Sequence, residues 1–574
     1  MKYPFKSLLL AATVLAAASC AKDDTQSGGE ETAGPVIVNA SPAAIGGEII
    51  LKLKTEASGI VEKSRAQGVS KGSGIDEIDR ILNTVNTVRF ERLFPDGGRF
   101  EERTRREGLH LWYYAKYDPS VPTSEMASLL SSCKDIEIIE YSLAAETSDH
   151  RRAASPAAGA QSVTRAIADE VRNVPFPFNE SERSQQMQWH YNNTGNIFAQ
   201  TSQLGADANV YAAWQLSTGN PDVIVAVVDQ GVKYDHEDLA ANMWVNEAEL
   251  NGTPGVDDDG NGYVDDIYGY NFTKETGELD FSAELMHGTH VAGTIAAVNN
   301  NGVGVCGIAG GSGRGDGVKI MSCQIFHDKD GGDVAMAAKA IKYAADNGAA
   351  IIQCSYGYPA GSVTSDAAYS SGASAEKQAI DYFIAKQNCA AVSGGLAIFA
   401  AGNDMTGMSS YPGAYRDYIS VTAMSCDYTP AYYTNYGPGC NIAAPGGDAY
   451  QSYLENINTG ASEVLSTVNG GKYGYMQGTS MACPHVSGVA ALGLSYALQL
   501  GKTFTQNEFT TLLLTSVNDI NQYCTGTKQY FTDKGSLATL DLSQYKKGMG
   551  TGYIDAYQVL MNVRGITCIP CLLY

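Results

Sequence analysis

The sequence predicts an α/β protein, with a parallel sheet covered by helices on both faces and a small α+β unit ahead of it. Three observations carry this expectation. From Val223 onward, short runs are apolar almost throughout, at Val223–Asp229, Val318–Ile325, Ala350–Cys354 and Leu396–Ala401. Such runs are the mark of strands buried on both faces. Helical patterns separate them, as from Asp333, a capping residue, through Ala345 to the stop at Asn347-Gly348. Strand–helix alternation of this kind favours parallel pairing. Finally, 574 residues exceed what one ordinary core accommodates, so two or more domains are expected.

The chain opens with Lys2 and Lys6 before the apolar segment Leu8–Ala18. That segment is too short for a mature membrane span, so residues 1–20 read as a signal peptide. It ends Ala17-Ala18-Ser19-Cys20, similar to the lipobox of bacterial lipoproteins, in which the cysteine is acylated. Alanine stands three places before Cys20, where leucine is usual. Ala16 and Ala18 also satisfy the rule for ordinary cleavage, so lipidation at Cys20 and plain secretion both remain open. Lys22-Asp23-Asp24 resembles the acidic signal that sends some lipoproteins to the cell surface. A bacterial outer-membrane or surface lipoprotein is therefore expected, with a secreted or periplasmic protein as the alternative. Any membrane contact would be through the lipid alone.

Residues 21–35 are rich in Gly, Ser, Thr and acid, a tether. Residues 36–141 form the α+β unit. Its expected strands are Glu48–Leu53, Leu109–Ala115 and Ile136–Tyr141, with helices at Ile75–Leu82 and from a Thr123 cap to Ser132. Residues 142–183 lack apolar periodicity and carry Arg151, Arg152, Arg165 and Arg172, a linker open to proteolysis. The large domain is expected over 184–565, with a tail at 566–574.

Net charge is −23, from 39 basic and 62 acidic residues, which excludes nucleic acid as the expected partner. Of 12 cysteines, removal of Cys20 leaves an odd number, so at least one free thiol is expected. Cys568 and Cys571 make a lone C-x-x-C without the second pair or the histidines that zinc needs.

Gly478-Thr479-Ser480-Met481-Ala482-Cys483-Pro484-His485 introduces a long apolar helix, with Pro484 expected in its first turn. Ser480 there is either an ordinary N-cap or a nucleophile beside free backbone donors and the positive helix end. A serine attacks a carbonyl only when a histidine takes its proton and an acid orients that histidine. Such groups exist in His287-Gly288-Thr289-His290, which opens another helix, and in Asp229, which ends a buried strand.

These stretches resemble the Asp, His and Ser motifs of the subtilisin-like serine proteases, the subtilases, in that family's chain order. The resemblance runs from about Trp189 to Val559, and Gln188-Trp189-His190 is similar to the family's opening tract. It implies a subtilisin-like fold and a serine endopeptidase in which Ser480 attacks, His287 relays the proton and Asp229 orients His287. Ala400-Ala401-Gly402-Asn403 matches the tract that carries the oxyanion-hole asparagine, implying that role for Asn403 and substrate contact at Ala401 and Gly402. Ser355-Tyr356-Gly357 matches the edge that pairs with substrate backbone. His290 and His485 are expected to be structural, because a triad uses one histidine. By the same resemblance residues 36–141 are a ferredoxin-like propeptide that inhibits its own protease, against the alternative of an unrelated binding module.

Asp257, Asp259, Asn261 and Asp265, with the Tyr263 carbonyl, repeat the alternate spacing by which a loop wraps Ca²⁺. Tyr268 stands where a full calcium-binding hand needs its acid, so this is a shortened loop or, alternatively, a solvated acidic turn. No organic cofactor is expected. Polypeptides are the expected substrates. A binding protein on an inactive scaffold would require loss of a triad residue, and none is lost. A broad scavenger and a dedicated processor are not separable by sequence.

Overall fold

The computed structural model describes residues 34–565 apart from 42–43, 69–71, 148–173, 196–201, 283–284, 328–330, 360, 371–373, 450–460 and 533–535. The signal peptide, Cys20, most of the tether, the four linker arginines and the Cys568–Cys571 tail lie outside the described residues.

The N-terminal unit is one antiparallel-rich sheet, with β1 (Val36–Val38), β2 (Ala44–Leu53), β3 (Arg89–Arg92), β4 (Trp112–Lys116) and β5 (Ile136–Thr147) in the order β1-β5-β2-β4-β3. Helices Asp76–Thr84 and Thr123–Leu130 cover it, near their expected bounds. Thr123 is the first helical residue, however, and Pro122 takes the cap position with no side-chain cap. Helix Thr55–Ala66 was illegible in sequence because it packs through Ala57, Ser58, Val61 and Ser64, a buried face of mostly small side chains. Residues 109–111 form a single 3₁₀ turn, and the strand begins only at Trp112.

The main sheet has nine strands. From one edge these are Val517–Asn518, Tyr553–Ile554, Ile442–Pro445, Ile419–Met424, Leu396–Ala400, Ile351–Cys354, β6 (Ile224–Asp229), Lys319–Gln324 and β7 (Gly269–Asn271). All neighbours are parallel except the outermost pair at 517–518. Alternation along β6 explains its unbroken apolarity. Val225 and Val227 join the core under helices His287–Ala296 and Thr479–Gln499, whereas Ala226 and Val228 join the core under Val334–Asp346 and Ala375–Ile384. Helix Thr479–Gln499 is long and apolar enough to cross a membrane, but it lies buried in the core. The nine described cysteines form no disulfide, and all but Cys440 are buried.

The strand expected to stop at Tyr141 runs on to Thr147, because its last residues find partners in the large domain. Calling β8 Lys319–Gln324, β9 Gly332–Asp333, β10 Ile351–Cys354 and β11 Tyr356–Gly357, β5 pairs antiparallel with both β9 and β11. Trp112 Nε1 also donates to Gln378 Oε1 across the contact at 2.7 Å.

Glu140 of β5 is fully buried there, accepting from the Ala375 N–H at 2.8 Å and from Asn39 Nδ2 at 2.9 Å. Burial outweighs these bonds and pushes its carboxyl up to about 8, with neighbouring Glu376 adding to the rise. A carboxyl raised by docking holds its proton in the docked state. The contact is therefore strongest below the ordinary carboxylate range and weakens as pH rises towards 8. In chains that keep residues 36–147, the melting temperature should fall from pH 5 to pH 8, and Glu140→Gln should flatten that slope. An equal slope in the variant would assign it to other groups.

Candidate active site

β6 ends at Asp229, and the helix entering at His287 abuts that end. A Cβ on Gly288 would come within 2.1 Å of the Gln230 carbonyl oxygen, so only glycine allows the approach. Asp229 Oδ1 accepts from the Gln230 N–H at 2.6 Å and from His287 Nδ1 at 2.7 Å, with both side chains at 0% exposure. Nδ1 therefore carries the proton, which leaves Nε2 as the basic nitrogen. Gln230 was missed by sequence reasoning. Its Oε1 accepts from the His287 N–H at 3.0 Å and fixes the backbone that presents the imidazole.

Ser480 is not an N-cap. Gly478 takes the cap position at φ +152°, a conformation that glycine adopts freely, and Ser480 is the second helical residue. Pro484 lies one turn deeper than expected. Its missing N–H leaves the Ser480 carbonyl unbonded within the helix, and the Ser355 hydroxyl fills the gap at 2.8 Å. In return Ser480 Oγ donates to the Ser355 carbonyl at 3.2 Å. Gln353 Nε2 donates to Ser355 Oγ at 2.7 Å, so a buried polar chain locks the strand end to the serine.

Asn403 follows the strand Leu396–Ala400. Its Oδ1 accepts from both the N–H and the hydroxyl of Thr479, each at 2.9 Å, which commits the oxygen and leaves the amide nitrogen as the side chain's donor. Thr479 is thus a second residue that sequence reasoning missed. Gly402, at φ +102°, lies so close to Asn435 that a Cβ would come within 2.3 Å of Nδ2. Ala401 has its N–H on Val421 and its carbonyl on Ser410 and Asn435, so its backbone shapes this turn. Tyr356 and Gly357 already pair with β5.

The histidines His190, His290 and His485 are fully buried, and burial holds each below the ordinary imidazole range. His485 Nδ1 donates to the Met481 carbonyl at 2.7 Å, so its Nε2 accepts from His190 Nδ1 at 2.8 Å. Burial holds His485 down to about 4 and His290 to about 3.

The acidic loop differs from its expected geometry. Ligand atoms of Glu249, Asp257 and Asp259 lie within 4.8 Å of one another, and Glu249 was not anticipated. Asp265, at φ +55°, instead turns its carboxylate to the Gly255 N–H. Asn261 spends its side chain on Asp266 and on the Tyr263 N–H. Side-chain direction here follows local turns, which alternate spacing alone does not encode. Glu249 comes from a separate short helix, Glu247–Leu250, and accepts from the Asp258 and Asp265 N–H groups.

The profile described as the subtilase family matches residues 220–543, more than half of the chain. The chain belongs to the subtilase family. Among curated subtilase relatives, it is 36% identical over 288 residues to the halolysin-like extracellular serine protease Nep of Natrialba magadii, covering 50% of this chain and 42% of that one. It is 30% identical over 420 residues to the extracellular basic protease of Dichelobacter nodosus, covering 69% of this chain and 58% of that one. The chain thus spans about half the length of the curated relatives it matches. Fervidolysin from Fervidobacterium pennivorans, described as a keratinolytic enzyme related to subtilisin, superposes with a TM-score of 0.53 over 92% of this chain and 63% of its own, at 19% identity. That likeness concerns the fold alone.

Proposed function

We propose that this subtilase is an exported serine endopeptidase made as a self-inhibited precursor. The observation that carries this is the buried 2.7 Å pair of His287 Nδ1 and Asp229 Oδ1, in the fold where Ser480 opens the central helix beside Asn403. Ser480 Oγ forms an ester with the peptide acyl carbon as the C–N bond breaks, and its proton passes through His287 to the leaving amine. Water, deprotonated by His287, then cleaves the ester and restores the hydroxyl. Asn403 Nδ2 and the helix N-terminus stabilise the oxyanion in between. Export is supported by the signal-like N-terminus and by relatives that are named extracellular. Anchoring through Cys20 rests on the lipobox-like ending alone. A peptide-library digest by the purified protein, alongside fluorophosphonate labelling, tests the activity. Absence of both labelling and cleavage would overturn it.

Residues 36–147 act as the inhibitor in this reading, supported by β5 lying along β11, the edge where substrate would pair.

Calcium is the ion that fits the acidic loop, because three carboxylates converge as hard oxygen donors, with Arg99 already paired to one of them, Asp259, at 3.0 Å. Glu249, Asp257 and Asp259 would hold it, and it would supply rigidity rather than chemistry. At about a hundredfold excess over its Kd, binding only to the folded state adds roughly 2.7 kcal/mol. Excess Ca²⁺ should therefore raise the melting temperature by a few degrees, and Asp257→Asn with Asp259→Asn should abolish the rise. Indifference to both calcium and chelator would return the loop to a solvated turn.

A further inference from the structure

The N-terminal unit sets its turn at residues 96–99 directly on the acidic loop. The Arg99 N–H donates to the Gly260 carbonyl at 2.8 Å, and Arg99 Nη2 lies 3.0 Å from Asp259 Oδ2. The two backbones meet too closely for a side chain on either. A Cβ on Gly98 would come within 2.0 Å of the Gly260 carbonyl oxygen, and one on Gly262 within 2.4 Å of the Asp96 carbonyl oxygen. The Arg99 guanidinium also stands 4.7 Å from the centre of the Phe100 ring, a contact that limits its freedom.

Asp259 is one of the three carboxylates that converge in the loop, and its side chain is only 6% exposed. A charge held against it is therefore poorly screened by water. Its Oδ2 faces both Arg99 and Asn246 Nδ2, the latter at 3.2 Å, while its Oδ1 accepts from the Asn261 N–H at 3.0 Å. Glu249 and Asp257 accept from backbone N–H groups of the same loop. A divalent cation drawn in by all three carboxylates has two ways to sit. It displaces the guanidinium from Asp259, or it shares that carboxylate with it, two positive charges a few ångströms apart. Either way the ion and the arginine disfavour each other.

We infer that Arg99 is a built-in competitor for the cation of this loop, so that Ca²⁺ binding and docking of the N-terminal unit oppose one another. The inference rests on the calcium reading above and gives that site a second occupant, carried by the chain itself. Coupling of this kind is reciprocal. The factor by which docking weakens Ca²⁺ binding is the factor by which Ca²⁺ weakens docking. When Ca²⁺ is scarce the arginine neutralises Asp259 and helps to hold the unit closed. When Ca²⁺ is in excess the ion takes the carboxylates and the unit loosens.

The test uses the full-length Ser480→Ala chain, with its mass confirming that the N-terminal unit is still attached. In a calorimetric titration with Ca²⁺, the loop site is the binding step that Asp257→Asn removes. Adding Arg99→Gln should tighten that step by about fivefold or more. Arg106→Gln, which removes an exposed arginine of the same unit paired to neighbouring Glu107, should leave it within about twofold. A second measurement needs no change at Arg99. Amide hydrogen exchange at residues 144–147, where β5 is held by β9 and β11, should quicken severalfold when Ca²⁺ is saturating. Equal Ca²⁺ affinity with and without Arg99, or exchange indifferent to Ca²⁺, overturns the inference and leaves the ion site standing. Absence of any binding step that Asp257→Asn removes takes away the ion site and the inference together.

Discussion

Ser480→Ala should abolish labelling by a fluorophosphonate and lower peptide hydrolysis by roughly 10⁶-fold, the scale that the corresponding change sets in subtilisin itself. In the proposed mechanism the Ser480 hydroxyl is the group that forms the acyl ester. Without it, the proposed oxyanion donors, Asn403 and the helix end, would remain, but attack would lack a positioned nucleophile. Folding should be little affected, because the lost hydroxyl bonds only the Ser355 carbonyl, a contact worth about 1 kcal/mol. The same variant reads out self-processing. With β5 on the edge proposed to pair with substrate but no nucleophile, the full-length mass should persist. Normal turnover in the variant would dismiss the triad, whereas normal cutting of its linker in a protease-free preparation would dismiss self-processing alone.

Asp229→Asn should lower kcat by about 10⁴-fold with KM nearly unchanged. The side chains of Asp229 and His287 are wholly excluded from solvent, and the carboxylate is the counter-charge within hydrogen-bond reach of His287. An imidazolium formed on His287 in the proposed relay would therefore depend on this carboxylate for its counter-charge. An asparagine of the same shape removes the charge and permits the wrong tautomer, which leaves a proton on Nε2 where a lone pair is needed. If substrate pairs along β11 as proposed, Asp229 takes no part in that pairing, so binding should survive. A variant that lost KM and kept kcat would assign Asp229 to substrate binding instead.

Much of the candidate site was named from the sequence before any coordinates. Asp229, His287, Ser480 and Asn403 each stand at a boundary where an apolar run begins or ends, and such boundaries are local properties of the chain. The parallel sheet was legible for the same reason, since strands buried on both faces must be apolar throughout. What remained hidden depends on residues distant in sequence. Gln230 and Thr479 matter only because helix starts meet strand ends in space, and Glu249 enters the acidic cluster from a helix that spacing within the loop cannot reveal. Pro484 was read as a first-turn residue, yet the deeper position is tolerated because Ser355, 125 residues away, bonds the carbonyl it leaves open. β5 is the clearest case. Sequence alone determined that a strand starts at Ile136, through its apolar residues. Tertiary structure decided that it continues to Thr147, because backbone hydrogen bonds on both edges come from β9 and β11, and a strand's length is set by its partners as much as by its own side chains.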